Sequence, residues 1–300
     1  MKLRTMGEDA VVAALLRNAP TGRDVIRGPG DDCAVIGTPR AKVWRLLKTD
    51  CVIEGVHFHA GETAEKIGWK ALARAISDIA AMGGRPQHAL ITLAISPEEE
   101  LKRAKGIYAG LGKCAAKYGV AIVGGETARS PGPMFISVML SGEVERHRCV
   151  FRSGGEPRDR LFVTGRLGGS LAGRHLTFEP RDEEARWLAQ RFRIHAMMDL
   201  SDGLGSDLPR LAQASGCGFR LDEGALPLNP GCTVAEGISD GEDYELLFAL
   251  APREAERLRI LWPRKVPRLE LTEIGILTAP GDSKSPGRGK KKLHGYDHFA

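Results

Sequence analysis

The sequence predicts a mixed α/β fold divided into two domains. Amphipathic helical patterns alternate with short apolar runs typical of strands, and both halves of the chain contain the two kinds of pattern. Over residues 148–159 a strand pattern stops, and glycine, proline and charged residues follow before a new apolar run begins. A chain of 300 residues is long enough for two domains of ordinary size. We therefore expect an N-terminal domain over 1–148 and a C-terminal domain over 149–300.

Two helices are predicted in the first half. Residues 64–84 carry apolar side chains near a spacing of 3.6 residues and end at two adjacent glycines. Residues 97–119 carry a second helical pattern, with Pro97 at its start and Gly119 at its end. Strand-like apolar runs lie at 120–123, 134–142, 160–165, 196–200 and 243–250.

Composition excludes several classes of protein. The chain is 42% hydrophobic and 27% charged, which is typical of soluble globular proteins. No segment approaches the roughly 18 consecutive apolar residues of a membrane helix. Glu8 and Asp9 stand where a signal peptide needs an apolar core. The six cysteines are dispersed without zinc-finger spacing, so we expect reduced and mostly buried thiols in a cytoplasmic protein with no membrane partner.

The positive charge is concentrated in one segment. The chain carries a formal charge of +5, and residues 281–292 contain five of its Lys and Arg residues against one Asp. The rest of the chain is therefore close to neutral. A basic, glycine-rich segment is most often a solvated connector, so we expect no nucleic-acid partner.

Acidic residues recur beside predicted strand ends and glycines. Residues 199–208 alone contain three aspartates and two serines next to an apolar run. Buried carboxylates are costly without a positive partner, and oxygen ligands without a Cys/His cluster suit a hard cation such as Mg²⁺. Neighbouring glycines such as Gly124 and Gly125 let the backbone approach a ligand closely. Together these features favour a site for magnesium and phosphates.

Each carboxylate taken alone also has a structural explanation. Asp31 and Asp32 are suited to a turn, and Asp207 is suited to the start of the helix that follows it. Asp78 fits such an explanation less well. It lies near the carboxyl end of a predicted helix, where the helix dipole disfavours a carboxylate, and its neighbours are apolar.

Other nucleotide and nucleophile signatures are absent. The segment "IYAGLGKC" has Ile107 where a P-loop needs glycine and Cys114 where it needs a hydroxyl. In "DLSDG", Asp199 occupies the first glycine position of a nucleophile elbow. No dinucleotide-binding glycine pattern follows a predicted strand.

Seven segments occur in the order typical of one family. They are "GDDCAVI", "TDCVIEGVHF", "KALARAISDIAAMGG", "IVGGET", "DLSDGL", "SDGEDYELLF" and "GYDHFA", and they span residues 30–300. In these segments the chain resembles the thiamine-monophosphate kinases, whose superfamily includes aminoimidazole ribonucleotide synthetase and selenophosphate synthetase. The resemblance implies a two-domain α/β fold, with an N-terminal mixed sheet that dimerises and a C-terminal α/β domain that completes the active site.

The resemblance also implies an activity and a set of site residues. The activity is ATP-dependent phosphorylation of thiamine monophosphate to thiamine diphosphate, the last step of thiamine diphosphate biosynthesis, in a homodimer. The implied magnesium ligands are Asp32, Thr49, Asp50, Asp78, Glu126, Asp199 and Asp202. The implied ATP contacts are Gly125, Arg152 and Ser201, and the implied thiamine monophosphate contacts are His57, Glu242 and Tyr296.

These roles agree with the chemistry of phosphoryl transfer. A phosphate monoester has a second pKa of about 6, so the acceptor is mostly ionised at neutral pH and needs no general base. Several magnesium ions would screen its repulsion from ATP and orient an in-line transfer. Many carboxylates are needed to hold several metal ions.

Two positions depart from the family pattern. Glu126 replaces the usual aspartate, and Lys48 replaces a small hydroxyl residue. One alternative is another ATP-dependent synthetase of the superfamily, of the purine-biosynthesis or selenophosphate type. A second alternative is a non-catalytic nucleotide-binding relative that keeps the fold.

Overall fold

The computed structural model describes residues 2–282 and 295–296. Its described part contains two sheets. The first sheet has six strands in the order β1-β2-β3-β6-β4-β5, antiparallel except for the β4–β5 pair. These strands are β1 (Val25–Arg27), β2 (Ala34–Ile36), β3 (Val43–Ile53), β4 (Arg85–Ile95), β5 (Ala121–Arg129) and β6 (Phe135–Glu145). The helices of this half are α1 (Glu8–Leu16), α2 (Ala64–Ala81) and α3 (Leu101–Tyr118).

The second sheet has five strands, all antiparallel, in the order β8-β10-β7-β11-β9. The strands are β7 (Arg160–Thr164), β8 (Ile194–Asp199), β9 (Gly218–Leu221), β10 (Leu246–Leu250) and β11 (Leu271–Thr278). The helices are α4 (Asp182–Arg191), α5 (Leu204–Ala214), α6 (Val234–Ser239) and α7 (Pro252–Lys265). The first sheet ends at Glu145 and the second begins at Arg160, and the boundary at residue 148 stays a prediction.

Helices α2 and α3 cover one face of the first sheet. Their backbones lie close together because Gly68 and Gly110 stand at the crossing, where an added Cβ would lie 1.9 and 1.8 Å from backbone oxygens of the other helix. Helix α2 ends where predicted, since Met82 is its C-cap and Gly83 follows with a φ of +71°. Helix α3 ends at Gly119 as predicted, but it begins at Leu101, four residues after Pro97.

Helix α2 also joins the two halves of the molecule. Its last turn, at Ala80 and Ala81, packs in one apolar cluster with Phe162 of β7 and Phe248 of β10. The side chain of Ser77 donates a hydrogen bond to Asp199 at the end of β8, at 2.6 Å. The carboxyl half of α2 therefore brings groups of both domains together.

The other face of the first sheet is open. Strand residues that face away from the helices include several exposed apolar side chains: Val43, Leu47, Leu90, Val123 and Met139. Leu90 of β4 pairs with Met139 of β6, which in turn pairs with Thr49 of β3, so these side chains form a row across the face.

The state of the cysteines agrees only in part with the prediction. All six cysteines are free, as predicted, but only Cys33 and Cys114 are buried, so the expectation of mostly buried thiols is wrong. No described helix is long and apolar enough to cross a membrane.

Candidate active site

Two adjoining cavities lie beside the carboxyl half of α2. The larger cleft has a volume of about 910 Å³, and its lining includes Asp50, Asp78 and Arg152. The smaller pocket has a volume of about 100 Å³. Arg74, Ser201 and Asp202 line both cavities. His57, Glu242 and Tyr296 also line the smaller pocket, so the three predicted substrate contacts lie together.

An acidic cluster lies beside the larger cleft. One carboxylate oxygen from each of Asp32, Asp78 and Asp199 lies within 4.8 Å of the others, and all three residues are buried. Asp32 precedes β2, Asp78 lies on α2, and Asp199 ends β8, so the cluster combines both domains. Within residues 2–282 and 295–296, Oδ2 of Asp32 and Oδ1 of Asp199 are buried without a hydrogen-bond partner. These two oxygens are free to bind a cation.

The carboxylates of this cluster have raised pKa values, because they are buried close to one another. Burial, together with the neighbouring Asp32 carboxylate, raises the pKa of Asp199 to about 7. Burial also raises the pKa of Asp78 well above its usual value, and Asp199 and Asp50 add to the effect while Lys48 opposes it. The donor set consists of oxygen atoms, which fits Mg²⁺.

Basic side chains neutralise part of the cluster. Nζ of Lys48 donates to Oδ1 of Asp78 at 2.7 Å, and Nη2 of Arg152 donates to Oδ1 of Asp32 at 2.6 Å. Burial raises the pKa of Asp50, but Lys48 and Arg74 outweigh burial and lower it overall. The departure at Lys48 thus places an ammonium group among the predicted metal ligands.

Asp202 and Asp207 have different positions despite their nearness in sequence. Asp202 lines both cavities, whereas Asp207 is fully buried. Asp207 lies in the first turn of α5, and its Oδ2 accepts the backbone N–H of Asp202 at 3.0 Å. Arg210 forms ion pairs with both carboxylates. The predicted structural role of Asp207 near a helix start is consistent with this geometry.

Beside the smaller pocket, Glu242 forms a network with the buried side chains of Lys70 and His175. Nζ of Lys70 lies 2.5 Å from Oε2 of Glu242, and Nδ1 of His175 lies 2.8 Å from the same oxygen. Burial favours the neutral form of Glu242, but His175 and Lys70 outweigh burial and lower its pKa to about 2. Burial lowers the pKa of Lys70 to about 8, although Glu242 opposes this shift. Glu242 is therefore ionised at neutral pH.

The backbone around Glu242 is strained. Glu242 has a φ of +63° and Tyr244 has a φ of +51°, a region that non-glycine residues rarely occupy. Hydrogen bonds keep the segment in place: the N–H of Glu242 donates to Ser201 at 2.7 Å, and Ser170 donates to the carbonyl of Glu242 at 2.5 Å. This strained segment fixes the direction of the Glu242 side chain.

The other two predicted substrate contacts, His57 and Tyr296, each make a hydrogen bond with the backbone. Nδ1 of His57 accepts the N–H of Ile53 at 3.1 Å. The N–H of Tyr296 donates to the carbonyl of Asp202 at 2.9 Å, which holds Tyr296 at the site. Tyr296 is 47% exposed and lines the smaller pocket, so it is accessible to a ligand there.

Three predicted residues lie away from the cleft. Lys48 and Asp50 line the cleft, and Thr49 between them is exposed, because alternate strand residues face opposite sides of the sheet. Gly125 and Glu126 are on the edge strand β5, which β6 and β4 separate from β3. Three strand spacings amount to about 14 Å, too far for Thr49 and Glu126 of one chain to share an ion.

Gly125 has a structural reason to be glycine. A Cβ added there would lie 1.8 Å from the backbone oxygen of Ile91, and the residue has a φ of +151°. The close approach that this glycine permits within the chain is therefore to strand β4. Its predicted contact with ATP stays a prediction.

Three polar residues of the site were not predicted: Lys70, Arg74 and His175. A signal for the first two exists in the sequence, because Lys70, Arg74 and Asp78 are spaced four residues apart and share one face of α2. His175 has no comparable local signal, since its partner Lys70 lies 105 residues away in the chain.

Comparison with known proteins agrees with this geometry. The chain matches the family models of AIR synthase related protein, with the N-terminal domain at residues 30–144 and the C-terminal domain at 155–285. It is 43% identical over 245 residues to a thiamine-monophosphate kinase of Rhodopirellula baltica, covering 76% of this chain and 77% of that protein. The chain belongs to the thiamine-monophosphate kinase family.

Other thiamine-monophosphate kinases match over more of the chain. The Bacillus subtilis protein is 31% identical and covers 91% of this chain and 93% of its own length. The solved structure of AaThiL complexed with AMPPCP and TMP is 30% identical, with a TM-score of 0.85, and covers 100% of this chain and 99% of that one. The two-domain fold predicted from the sequence is therefore confirmed for this thiamine-monophosphate kinase family member.

Proposed function

We propose that this chain transfers the terminal phosphoryl group of ATP to thiamine monophosphate and so forms thiamine diphosphate. The observation that carries the proposal is the junction of the two cavities. The larger cleft adjoins an acidic cluster suited to magnesium, and the smaller pocket contains the three predicted thiamine monophosphate contacts. Shared lining residues connect the cavities, so a donor in one can meet an acceptor in the other.

The ATP contacts are proposed at the larger cleft. Arg152 presents a planar guanidinium there, which is suited to phosphate oxygens, and Ser201 lines both cavities. The AaThiL structure carries AMPPCP and TMP together, which supports the same pair of ligands for this chain.

Asp32, Asp50, Asp78, Asp199 and Asp202 are proposed to hold magnesium. The two unpartnered oxygens of the acidic cluster and its raised pKa values support this assignment. When bound, magnesium would neutralise phosphate charge and stabilise the transition state of an in-line transfer. The protein supplies the orientation: the carboxylates come from four segments, namely the residues before β2, strand β3, helix α2 and the end of β8, and a hydrogen bond from Ser77 ties α2 to β8.

The acceptor is proposed to bind in the smaller pocket. Glu242 stays ionised because Lys70 and His175 stabilise its carboxylate, so it can pair with the positively charged ring system of a thiamine compound. Tyr296 offers an exposed ring for stacking, and His57 offers an imidazole. The acceptor phosphate is already ionised at neutral pH, so no side chain is needed as a general base.

A second copy of the chain is proposed to cover the open face of the first sheet. Exposed apolar side chains of adjacent strands support this interface, among them Leu47, Leu90 and Met139. Thr49 and Glu126 share this face but are too far apart to bind one ion within a chain. In a dimer, Thr49 of one copy and Glu126 of the other could approach. Light scattering should show a dimer that Leu90→Lys disrupts, whereas Ile260→Lys on α7 should leave it intact.

The activity is tested with purified protein, ATP and magnesium. Phosphorus NMR should detect thiamine diphosphate and ADP when thiamine monophosphate is the acceptor. The matched reactions replace the acceptor with an aminoimidazole precursor or with selenide, which address the two alternative synthetase activities. No ATP turnover with thiamine monophosphate at saturating magnesium would contradict the proposal, and turnover only in a matched reaction would support that alternative.

A further inference from the structure

Arg74 lies at the junction of the two cavities. It belongs to α2 and lines both the larger cleft and the smaller pocket. Of the described residues, Ser201 and Asp202 are the others that line both, and neither carries positive charge. A phosphoryl group that passes from ATP to an acceptor in the smaller pocket must cross this junction.

The guanidinium of Arg74 is held in place but not fully used. Its Nη1 donates to the carbonyl of Cys51 at 2.7 Å, and its Nη2 lies 3.8 Å from Oδ1 of Asp50. The side chain is 13% exposed, and its Nε–H is buried without a hydrogen-bond partner in the described residues. A buried unpaired donor on a charged group is costly, so it indicates a place for an acceptor atom.

A structural role explains only one of these donors. Strand β2 pairs with β3 over Arg45–Leu47 and does not reach Cys51. The bond from Nη1 therefore satisfies a carbonyl on a strand edge that β2 leaves uncovered. It does not involve Nε, which has no hydrogen-bond partner in the part of the chain that the structure describes.

Among the described residues, the other basic side chains near the junction already have partners. Arg152 donates to Asp32, Arg210 pairs with Asp202, and Lys70 pairs with Glu242. Arg74 combines a position in both cavities with an open donor.

We propose that Arg74 binds the phosphate of the acceptor and holds it against the terminal phosphate of ATP. The proposal rests on the proposed function and adds a residue to it. A planar guanidinium binds phosphate oxygens through directed hydrogen bonds, and its charge offsets the repulsion between the two phosphates. Recognition at this position depends on the phosphate of thiamine monophosphate, not on its rings.

The test compares two ligands that differ only by this phosphate. Titration calorimetry in magnesium buffer without ATP measures the binding of thiamine monophosphate and of thiamine. Arg74→Gln should weaken thiamine monophosphate binding by about 10- to 100-fold, the range for hydrogen bonds to charged groups. Thiamine binding and the binding of a non-hydrolysable ATP analogue should change by less than about twofold.

Arg103→Gln is the matched control. Arg103 also donates to one backbone carbonyl, that of Ala60 at 2.9 Å, and among the described residues its buried Nε has no hydrogen-bond partner, although it lies 3.6 Å from Oε2 of Glu99. It lines neither cavity, so its substitution should leave both affinities unchanged. Arg74→Lys keeps the charge without the planar fork and should show an intermediate loss for thiamine monophosphate.

Two results would overturn the role of Arg74. An equal loss for thiamine monophosphate and thiamine would show that Arg74 supports the pocket structurally, and a loss confined to the ATP analogue would assign it to the donor. If the wild-type protein forms thiamine diphosphate and either result is found, only this inference fails. If the wild-type protein forms none, the proposed function fails and this inference fails with it.

Discussion

Two regions beside α2 bury charge in opposite ways. In the acidic cluster of Asp32, Asp78 and Asp199, two buried oxygens have no hydrogen-bond partner among the described residues, and burial raises the pKa values of Asp78 and Asp199. At the smaller pocket, a hydrogen bond with His175 and the charge of Lys70 stabilise the Glu242 carboxylate and lower its pKa. The acidic cluster is thus an unbalanced region, which needs a ligand that brings positive charge. The network of Glu242 with Lys70 and His175 is a balanced region, which presents an ionised carboxylate in a fixed direction. This difference in buried charge agrees with the proposal of a metal site in the cluster and an organic-ligand pocket beside Glu242.

The strongest test of the unbalanced region is Asp78→Asn. Loss of this carboxylate should lower kcat by about 1000-fold, because a metal ion supplies several kcal/mol of transition-state stabilisation. Steady-state assays at saturating magnesium measure the effect. Magnesium should raise the Tm of the wild-type protein but not that of the variant. Asp222→Asn, at an exposed carboxylate of the second domain, should leave both values unchanged. Normal turnover by Asp78→Asn would remove Asp78 from the metal site.

The balanced region is tested by removing its internal cation. Lys70→Met leaves the Glu242 carboxylate without its ammonium partner, and breaking a buried pair costs about 3–5 kcal/mol. Urea denaturation should show that loss in the free energy of unfolding. Lys113→Met breaks an exposed pair with Glu65 and should cost less than about 1 kcal/mol. Equal losses for the two variants would show that the pocket network is not a stabilising pair.

The balanced region should also make the stability of the protein depend on pH in the acid range. The pKa of Glu242 is about 2 in the folded protein against an ordinary 4.5, so below pH 4.5 the unfolded state binds more protons than the folded state. The lowered pKa of Glu242 therefore contributes about 3 kcal/mol to the free energy of unfolding above pH 4.5, and this contribution is lost as the pH falls towards 2.

Denaturation curves between pH 5 and 2.5 measure this dependence. Stability should fall less steeply in Glu242→Gln than in the wild-type protein, and Glu98→Gln, at an exposed carboxylate, should follow the wild-type curve. Parallel curves for all three proteins would contradict the assigned shift.

The smallest predicted effect concerns the exposed ring at the pocket. Tyr296→Ala should raise the KM for thiamine monophosphate by about tenfold, the equivalent of one stacking contact, with little change in the KM for ATP. Tyr296→Phe keeps the ring and should behave like the wild-type protein. An equal rise in the KM for both substrates would show that Tyr296 does not act on the acceptor alone.

The elements that the sequence predicted well are those with local signals. Helix α2 has a clear apolar period and a glycine stop, and both are found in the structure. Strand β4 was not predicted. The exposed Leu90 on its open face interrupts the alternation of apolar and polar residues, so the strand period is obscured. Helix α7 carries a signal that was available, because Ala255, Leu258 and Trp262 are buried at helical spacing.

The site residues predicted from sequence motifs also fall into two groups, those that the structure brings together and those that it separates. Sequence motifs pointed to Asp32, Asp78 and Asp199, and the structure brings these three together. Thr49 and Glu126 come from equally good motifs, yet the sheet order separates them within one chain. A motif contains the residue type and its local neighbours, but it contains no information about which strands lie side by side.

By itself, the sequence determined the family, the alternating helices and strands, and the acidic residue types suited to a metal. Only the tertiary structure decided that Lys70, His175 and Glu242 form one network, since Lys70 lies 105 residues from His175 and 172 from Glu242. It also decided that Arg74 lies where the two cavities meet. Helical period and turn signals act over a few residues, whereas these contacts depend on how α2 packs between the two domains.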